Sequence, residues 1–235
     1  MQPDLSQGDL LDLHVRTLFR LDERDRIIAI NEDGLGDPPR LYVGRTSSGL
    51  IVRFRHDVPD ALIHEITAIL AGEPSVGDSS TPLVTLELLR AALNRHAPVV
   101  REWSGPAWYV PVTTTATAAI DTTLVSDPDV LTDGFPDLAA ELKYKAPVVA
   151  VVVEGAAVAT CCSSRTSVSA AEAGVETLPE YRGRGYAAAV VARWAGEVRS
   201  QGRIPLYSTS WDNLASQGVA RRLGLVFIGS DVHFT

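Results

Sequence analysis

Six residues, Arg182-Gly183-Arg184-Gly185-Tyr186-Ala187, constrain this chain more than any others. They stand between a strand-like run, 171–178, and a run whose apolar residues Ala187, Val190, Val191, Trp194 and Val198 recur at helical spacing. Gln201-Gly202 ends that helix. Glycines at 183 and 185 let successive backbone N–H groups converge without side-chain obstruction. The helix N-terminus behind them adds about half a positive charge and free donors. Arg182 and Arg184 add full charges. A strand, turn and helix of this kind form a cradle for a pyrophosphate. The two common phosphate motifs are excluded. There is no lysine for a P-loop, and Gly-Arg-Gly-Tyr-Ala-Ala at 183–188 has no ribose-binding acid about twenty residues on.

Charge points to the same end of the chain. The 235 residues carry a net charge of -8, but unevenly. The first 164 hold 23 acids against 13 bases, and the last 71 hold 6 against 8. An anion site is therefore expected late in the sequence. The acidic total argues against nucleic acid as a partner, because phosphate backbones need a basic face. With 46% hydrophobic and 21% charged residues the chain reads as globular. No apolar run is long enough for a membrane span. The opening MQPDLSQGDLLD is neither basic nor apolar, so no secretory signal is expected. Cys161 and Cys162 are the only cysteines, and they are adjacent. That excludes a disulfide framework and fits a reducing cytoplasm. The five histidines form no metal spacing, and His64-Glu65 lacks the second histidine of HExxH, so no metal is expected.

The remaining pattern predicts an α/β (α+β) protein. An amphipathic helix is expected over 9–20 with Asp9 as cap, a short strand over 26–30, and a loop over 31–40. Residues 41–44 and 50–54 flank Arg-Thr-Ser-Ser-Gly as a hairpin, and a helix follows over 57–70. Residues 71–82 are rich in Gly, Ser and Pro. This divides the chain into a small N-terminal α+β subdomain (1–75), a linker and connecting helix (76–96), and a main domain (97–235). In the main domain, strands are expected at 108–112, 148–153, 156–162, 171–178, 204–210, 226–228 and 232–234. The Thr/Ala-rich stretch 113–123 reads either way. Helices are expected over 136–143, after Gly185, and after Asp212 or Asn213.

Arg182-Gly183-Arg184-Gly185-Tyr186-Ala187 resembles the Q/R-x-x-G-x-G/A motif of the GNAT superfamily, the acyl-CoA-dependent N-acyltransferases. A second segment is similar too. Ser210-Trp211-Asp212-Asn213-Leu214-Ala215-Ser216, ending in Arg222-Leu223-Gly224-Leu225, resembles that family's strand–Asn–helix–LGF stretch. The resemblance covers about 97–235 and is densest over 171–229. It implies a mixed, mostly antiparallel sheet flanked by helices. It implies acetyl-CoA as co-substrate, with its pyrophosphate on the backbone of Arg182, Gly183, Arg184, Gly185, Tyr186 and Ala187. The strand before the loop should part from the strand at 204–210. The pantetheine arm should pair with backbone groups of Glu176, Thr177 and Leu178, with Asn213 and Ser216 on the cofactor side.

The function this implies is acetyl transfer to a primary amine, of a small molecule or a peptide, by direct attack in a ternary complex. A base must take the amine's proton. Glu172 and Glu176 are the candidates, four apart and so on one face of a regular strand, with Glu172 slightly favoured. Family members often protonate the leaving thiolate with a tyrosine about seven residues after the asparagine. Here position 220 is Ala, between Val219 and Arg221. Ser216 is the nearest hydroxyl on that helix, with a positional role. Tyr207 is the other nearby phenol, in a strand whose facing the sequence leaves open. The missing tyrosine supports a rival reading, a non-catalytic acyl-CoA-binding regulatory module. A partner-recruiting scaffold is a third. A second copy of the chain is an open partner.

Overall fold

The computed structural model describes residues 5–32, 36–74, 81–115 and 120–235. Parts of the loop at 31–40, the Gly/Ser/Pro stretch at 71–82 and the Thr/Ala stretch at 113–123 lie outside them. The chain divides into two compact units, Trp108–Phe227 and Asp4–Ala107 with Ile228–Thr235.

The N-terminal unit opens on α1 (Gln7–Leu18). The cap is Ser6 rather than Asp9. The Ser6 hydroxyl accepts from the Asp9 amide at 3.1 Å, and the Asp9 carboxylate accepts from the Ser6 amide at 3.0 Å. Strands β1 (Phe19–Leu21) and β2 (Ile27–Ile30) pair antiparallel. The predicted hairpin is β3 (Leu41–Thr46) with β4 (Gly49–Phe54), in a register from Leu41–Phe54 to Thr46–Gly49. Helices α2 (Asp60–Leu70) and α3 (Leu86–His96) follow. Leu62, Ile66 and Leu70 of α2 and Leu89 and Leu93 of α3 share one core with Leu41, Val43 and Phe54. Each such side chain contributes roughly 1.5–3 kcal/mol on burial. Helix α3 is therefore built into this unit and is not the connecting helix expected at 76–96. Strand β5 (Glu102–Tyr109) begins earlier than the expected 108–112. Its Gly105-Pro106 pair masked the strand pattern in the sequence.

In the second unit, β6 (Thr123–Leu124) precedes a 3₁₀ turn (Pro128–Leu131) and α4 (Pro136–Glu141). Then come β7 (Val149–Val153), β8 (Ala156–Thr166) and β9 (Ala170–Thr177). Helix α5 (Tyr186–Ser200), β10 (Ile204–Ser208) and α6 (Leu214–Arg222) complete the run. Its strands lie in the order β10-β9-β8-β7-β6. All neighbours are antiparallel except β9 and β10, which are parallel. This is the mixed, mostly antiparallel sheet that the sequence predicts. Helix α5 lays Val190, Val191, Trp194 and Val198 on a core with Val149, Val151, Val158, Cys161 and Tyr207. Val148, Ala150 and Ala157 belong to a second core with Leu131 and Phe135.

The last strand, β11 (Val226–Phe234), is continuous where the sequence suggested two pieces. Its residues Ser230–Phe234 pair antiparallel with β3 in the N-terminal unit. The polar Gly229-Ser230-Asp231 interrupts the apolar pattern, yet Ser230 and Asp231 are buried. Gly229 has φ 145°, and a Cβ there would stand 2.3 Å from the Arg45 carbonyl oxygen, so only glycine permits the approach. The unit boundary near 107, with the C-terminal residues returned to the first unit, replaces the expected boundary at 97.

Candidate functional site

The β9–β10 pairing sets the site. It runs through Ile204–Ala170, Pro205–Ala171 and Leu206–Glu172 and stops there. Strand β9 continues to Thr177 and β10 to Ser208. The two strands part where the family resemblance places a gap. On its other edge β9 stays paired with β8, and the Leu178 amide donates to the Val158 carbonyl at 3.0 Å. Backbone groups alternate along an antiparallel strand. Leu178 and Glu176 therefore turn their N–H and C=O toward β8, while Thr177 and Val175 turn theirs to the open edge. The Arg182 guanidinium confirms the direction, since its Nε donates to the Thr177 carbonyl at 3.1 Å. Of the backbone groups expected to pair with a pantetheine arm, Thr177 faces the gap, and Glu176 and Leu178 do not. Val175 does, and strand periodicity alone carries no parity from which to infer it.

The glycine-rich turn takes its predicted form. Gly183 and Gly185 have φ 76° and 85°, the left-handed region that glycine enters without cost. Gly185 is the N-cap of α5, no side chain caps the helix, and its first turn holds no acid. The opening N–H groups of an α-helix have no partner within it. A Cβ on Gly185 would lie 3.4 Å from Arg222 Nη2 and 3.6 Å from Ile120 Cδ1, so the seat is narrow. Arg182, Gly183, Gly185, Tyr186 and Ala187 all line a cavity of about 350 Å³. Val175, Glu176 and Thr177 line it from β9, and Asn213, Ala215 and Ser216 from the start of α6. Its remaining wall is Tyr181, which stacks on Tyr186 with ring centroids 6.4 Å apart. Glycines in the left-handed region, an uncapped helix start and an arginine suit a coenzyme's pyrophosphate in both shape and charge.

Other residues sit differently from expectation. The Arg184 guanidinium donates to the Glu180 carbonyl at 3.0 Å and stacks 5.0 Å over the Tyr181 ring. It braces the wall and does not line the cavity. Glu172 is buried at 3% exposure and is absent from the cavity lining. It stands opposite Arg165 in the β8–β9 register, and its charge partly offsets the lowering that burial imposes on the Arg165 guanidinium. Glu176 is the exposed one of the pair and lines the cavity. Burial separates the environments of the two. Asn213 caps α6, its Oδ1 accepting from the Ser216 amide at 3.0 Å. Ser216 Oγ lies 2.6 Å from the Tyr207 phenol oxygen, and Tyr207 is 1% exposed. Burial pushes the Tyr207 phenol up to about 12, against a lowering by Ser216, with Cys161 and Glu172 adding to the rise.

The thiol of Cys162 is likewise pushed up, to about 11, chiefly by burial, and Cys161 is raised further inside the core. Both are packing residues, not nucleophiles. Among the described residues no group of three or more His, Cys, Asp or Glu is placed to hold a metal ion. Among them, too, no helix is long and apolar enough to cross a membrane.

A parted parallel strand pair, in an otherwise antiparallel sheet, with a bare helix N-terminus behind a glycine-rich turn, defines the GNAT fold class. Residues 144–230 match the family model described as GNAT acetyltransferase. No curated protein matches the chain. Among solved structures, a GNAT-family acetyltransferase from Colwellia psychrerythraea is similar over 100% of this chain and 98% of its own, with a TM-score of 0.53 at 14% identity. An N-acetyltransferase-like protein from Streptococcus suis gives 0.49 at 14% identity, over 84% of this chain and 85% of its own. A GNAT-family structure from Novosphingobium aromaticivorans gives 0.46 at 19% identity, over 58% of this chain. This chain spans 65% of the length of that last protein.

Proposed function

We propose that the protein is an N-acetyltransferase that uses acetyl-CoA to acetylate a primary amine. The observation that carries this is the uncapped start of α5, opening into the same cavity as the free edge of β9. When bound, acetyl-CoA supplies an acetyl thioester, from which the carbonyl carbon passes to the amine as a C–N bond forms, the C–S bond breaks, and one proton moves net from nitrogen to sulfur. The protein's own residues supply position and charge. The α5 amides and Arg182 hold the pyrophosphate. The backbone of Val175 and Thr177 orients the pantetheine arm as an added strand would. Glu176, exposed on the cavity wall, is the base available to the amine's proton, directly or through water. Asn213 fixes the first turn of α6 and so the place of Ser216.

Calorimetry with CoA and acetyl-CoA, followed by a thiol-release assay over a panel of polyamines, aminoglycosides, amino acids and peptide N-termini, tests this. CoA binding with thiol release dependent on one amine class is the expected result. Binding without release for any amine would leave an acyl-CoA-binding module, and absence of binding would end the proposal.

A further inference from the structure

The helix position from which a tyrosine often serves the leaving sulfur is here Ala220, wholly buried in the core. The α6 helix nevertheless carries a phenol at one remove. Tyr207 rises from β10, its ring buried against Trp108 at a centroid distance of 6.0 Å, and its hydroxyl meets Ser216 Oγ at 2.6 Å. The same hydroxyl also donates to the Ser216 carbonyl at 3.3 Å, a longer contact.

Which hydroxyl donates follows from acidity. A phenol is far more acidic than an alkanol, and the short bond forms with the stronger acid donating to the more basic oxygen. The 2.6 Å contact admits either oxygen as donor; acidity assigns it to the phenol, whose one proton is shared with the carbonyl at 3.3 Å. The Ser216 hydroxyl then accepts from behind and has its own proton to direct elsewhere. Its amide is engaged by Asn213, and the residue lines the cavity.

We propose that Tyr207 is a positioning residue that makes Ser216 a one-way hydrogen-bond donor into the cavity, aimed at the sulfur of bound coenzyme A. This rests on the CoA-binding reading above and goes beyond it. Ser216 steadies negative charge on sulfur as the C–S bond breaks. Neither hydroxyl gives up its proton. A phenol held near 12 lies well above a thiol, which ionises near ~8.5 when unperturbed, so transfer from Tyr207 is uphill. The proton that ends on sulfur comes from the amine nitrogen by way of base and solvent. The device also explains why Tyr207 is tolerated in a buried strand: its hydroxyl is satisfied by the helix it positions.

The test uses CoA itself and needs no acceptor amine. Thiolate absorbance of protein-bound CoA, with the free protein subtracted, is followed across pH. In the native protein the bound thiol should ionise at lower pH than free CoA. Ser216→Ala and Tyr207→Phe should each reduce the bound thiolate fraction by about tenfold at a pH below the thiol pKa, the size of one charge-assisted hydrogen bond. CoA affinity should stay within about threefold, because the pyrophosphate seat is untouched. The double variant should be no worse than either single one, since the two hydroxyls act in series. Fluorotyrosine incorporation covers the case in which Tyr207→Phe does not fold. A more acidic phenol donates more strongly, so it should raise the bound thiolate fraction in the native background and not in Ser216→Ala. Bound CoA whose ionisation ignores Ser216→Ala would overturn the inference. A response to Ser216→Ala without one to Tyr207→Phe or fluorotyrosine would remove Tyr207 from it. CoA that does not bind at all overturns the proposed function first and this inference with it.

Discussion

The first helix of the N-terminal unit and α5 of the second treat their starts in opposite ways. In the N-terminal unit the starts of α1 and α3 carry side-chain hydrogen bonds. The Ser6–Asp9 capping box closes α1, and the buried Glu73 carboxylate accepts from the amide and hydroxyl of Thr85 at the start of α3, at 2.7 and 2.6 Å. Buried Arg40 donates to the carbonyls of Leu93 and Pro98. In the second unit α5 starts on a left-handed glycine with no side-chain cap, and β9 leaves part of one edge open. An uncapped helix end forfeits about 1 kcal/mol; α2, α3 and α4 also lack a side-chain cap from their own cap residue, and what sets α5 apart is that its bare start opens on a left-handed glycine at the cavity.

The sharpest way to break that contrast is Gly185→Glu. It places a side chain and a negative charge at the mouth of the α5 N-terminus, on a residue with φ 85°. CoA affinity by calorimetry should fall at least a hundredfold while circular dichroism stays native. Retained affinity would mean the α5 amides are not the seat. The converse experiment is Ser6→Ala. It should lower unfolding stability by ~1 kcal/mol and leave CoA affinity unchanged.

The arginines sharpen the comparison within the second unit. Arg182 lines the cavity and Arg184 is spent on Glu180 and Tyr181. Arg182→Ala should weaken CoA binding about tenfold, as the loss of one charge-assisted contact does. Arg184→Ala should weaken it by less than about threefold and without a steeper salt dependence. Equal losses from both would put the Arg184 guanidinium on the ligand.

Glu172 and Glu176 show where sequence ran out. Their spacing placed them on one face, but a register shift in β8 between Ser163 and Arg165 brings an arginine opposite Glu172, which is buried. Such a pairing depends on a residue in another strand and is invisible to periodicity. The same is true of Tyr207 and Ser216, nine residues apart on a strand and a helix, and of β11, whose polar centre is buried by its neighbours. The glycine turn was legible because its requirements are local: two left-handed residues, no side chains, and a helix directly after. Glu172→Gln should therefore lower stability by ~1–3 kcal/mol, the cost of disturbing a buried charge pair, with CoA affinity retained. Glu176→Gln should leave stability alone and slow amine acetylation most at low pH, where the amine is protonated. A rate unaffected across the pH range would remove Glu176 as the base.

The smallest expected effect tests the self-contained character of the N-terminal unit. His233 is packed there between the Trp103 ring, stacked at 5.1 Å, and the edge of Phe19 at 5.7 Å. Burial lowers its pKa below the ordinary 6.5. Arg101 and His14 lower it further, and Asp231 opposes them. Asp231 also lies 3.6 Å from His14 Nε2, both fully buried. The unfolded chain thus binds a proton at His233 at a higher pH than the folded one does. Where the unfolded state holds more protons, stability rises with pH. The contribution is complete above 6.5 and is lost as pH falls from there toward the folded pKa. Unfolding midpoints in urea should accordingly drop between neutral and mildly acidic pH, and His233→Phe, which keeps the ring between Trp103 and Phe19, should flatten that drop. Saturating CoA should raise the midpoint at each pH without changing the slope, because its site holds none of these groups. A slope indifferent to His233→Phe would remove His233 as the source of the acid sensitivity.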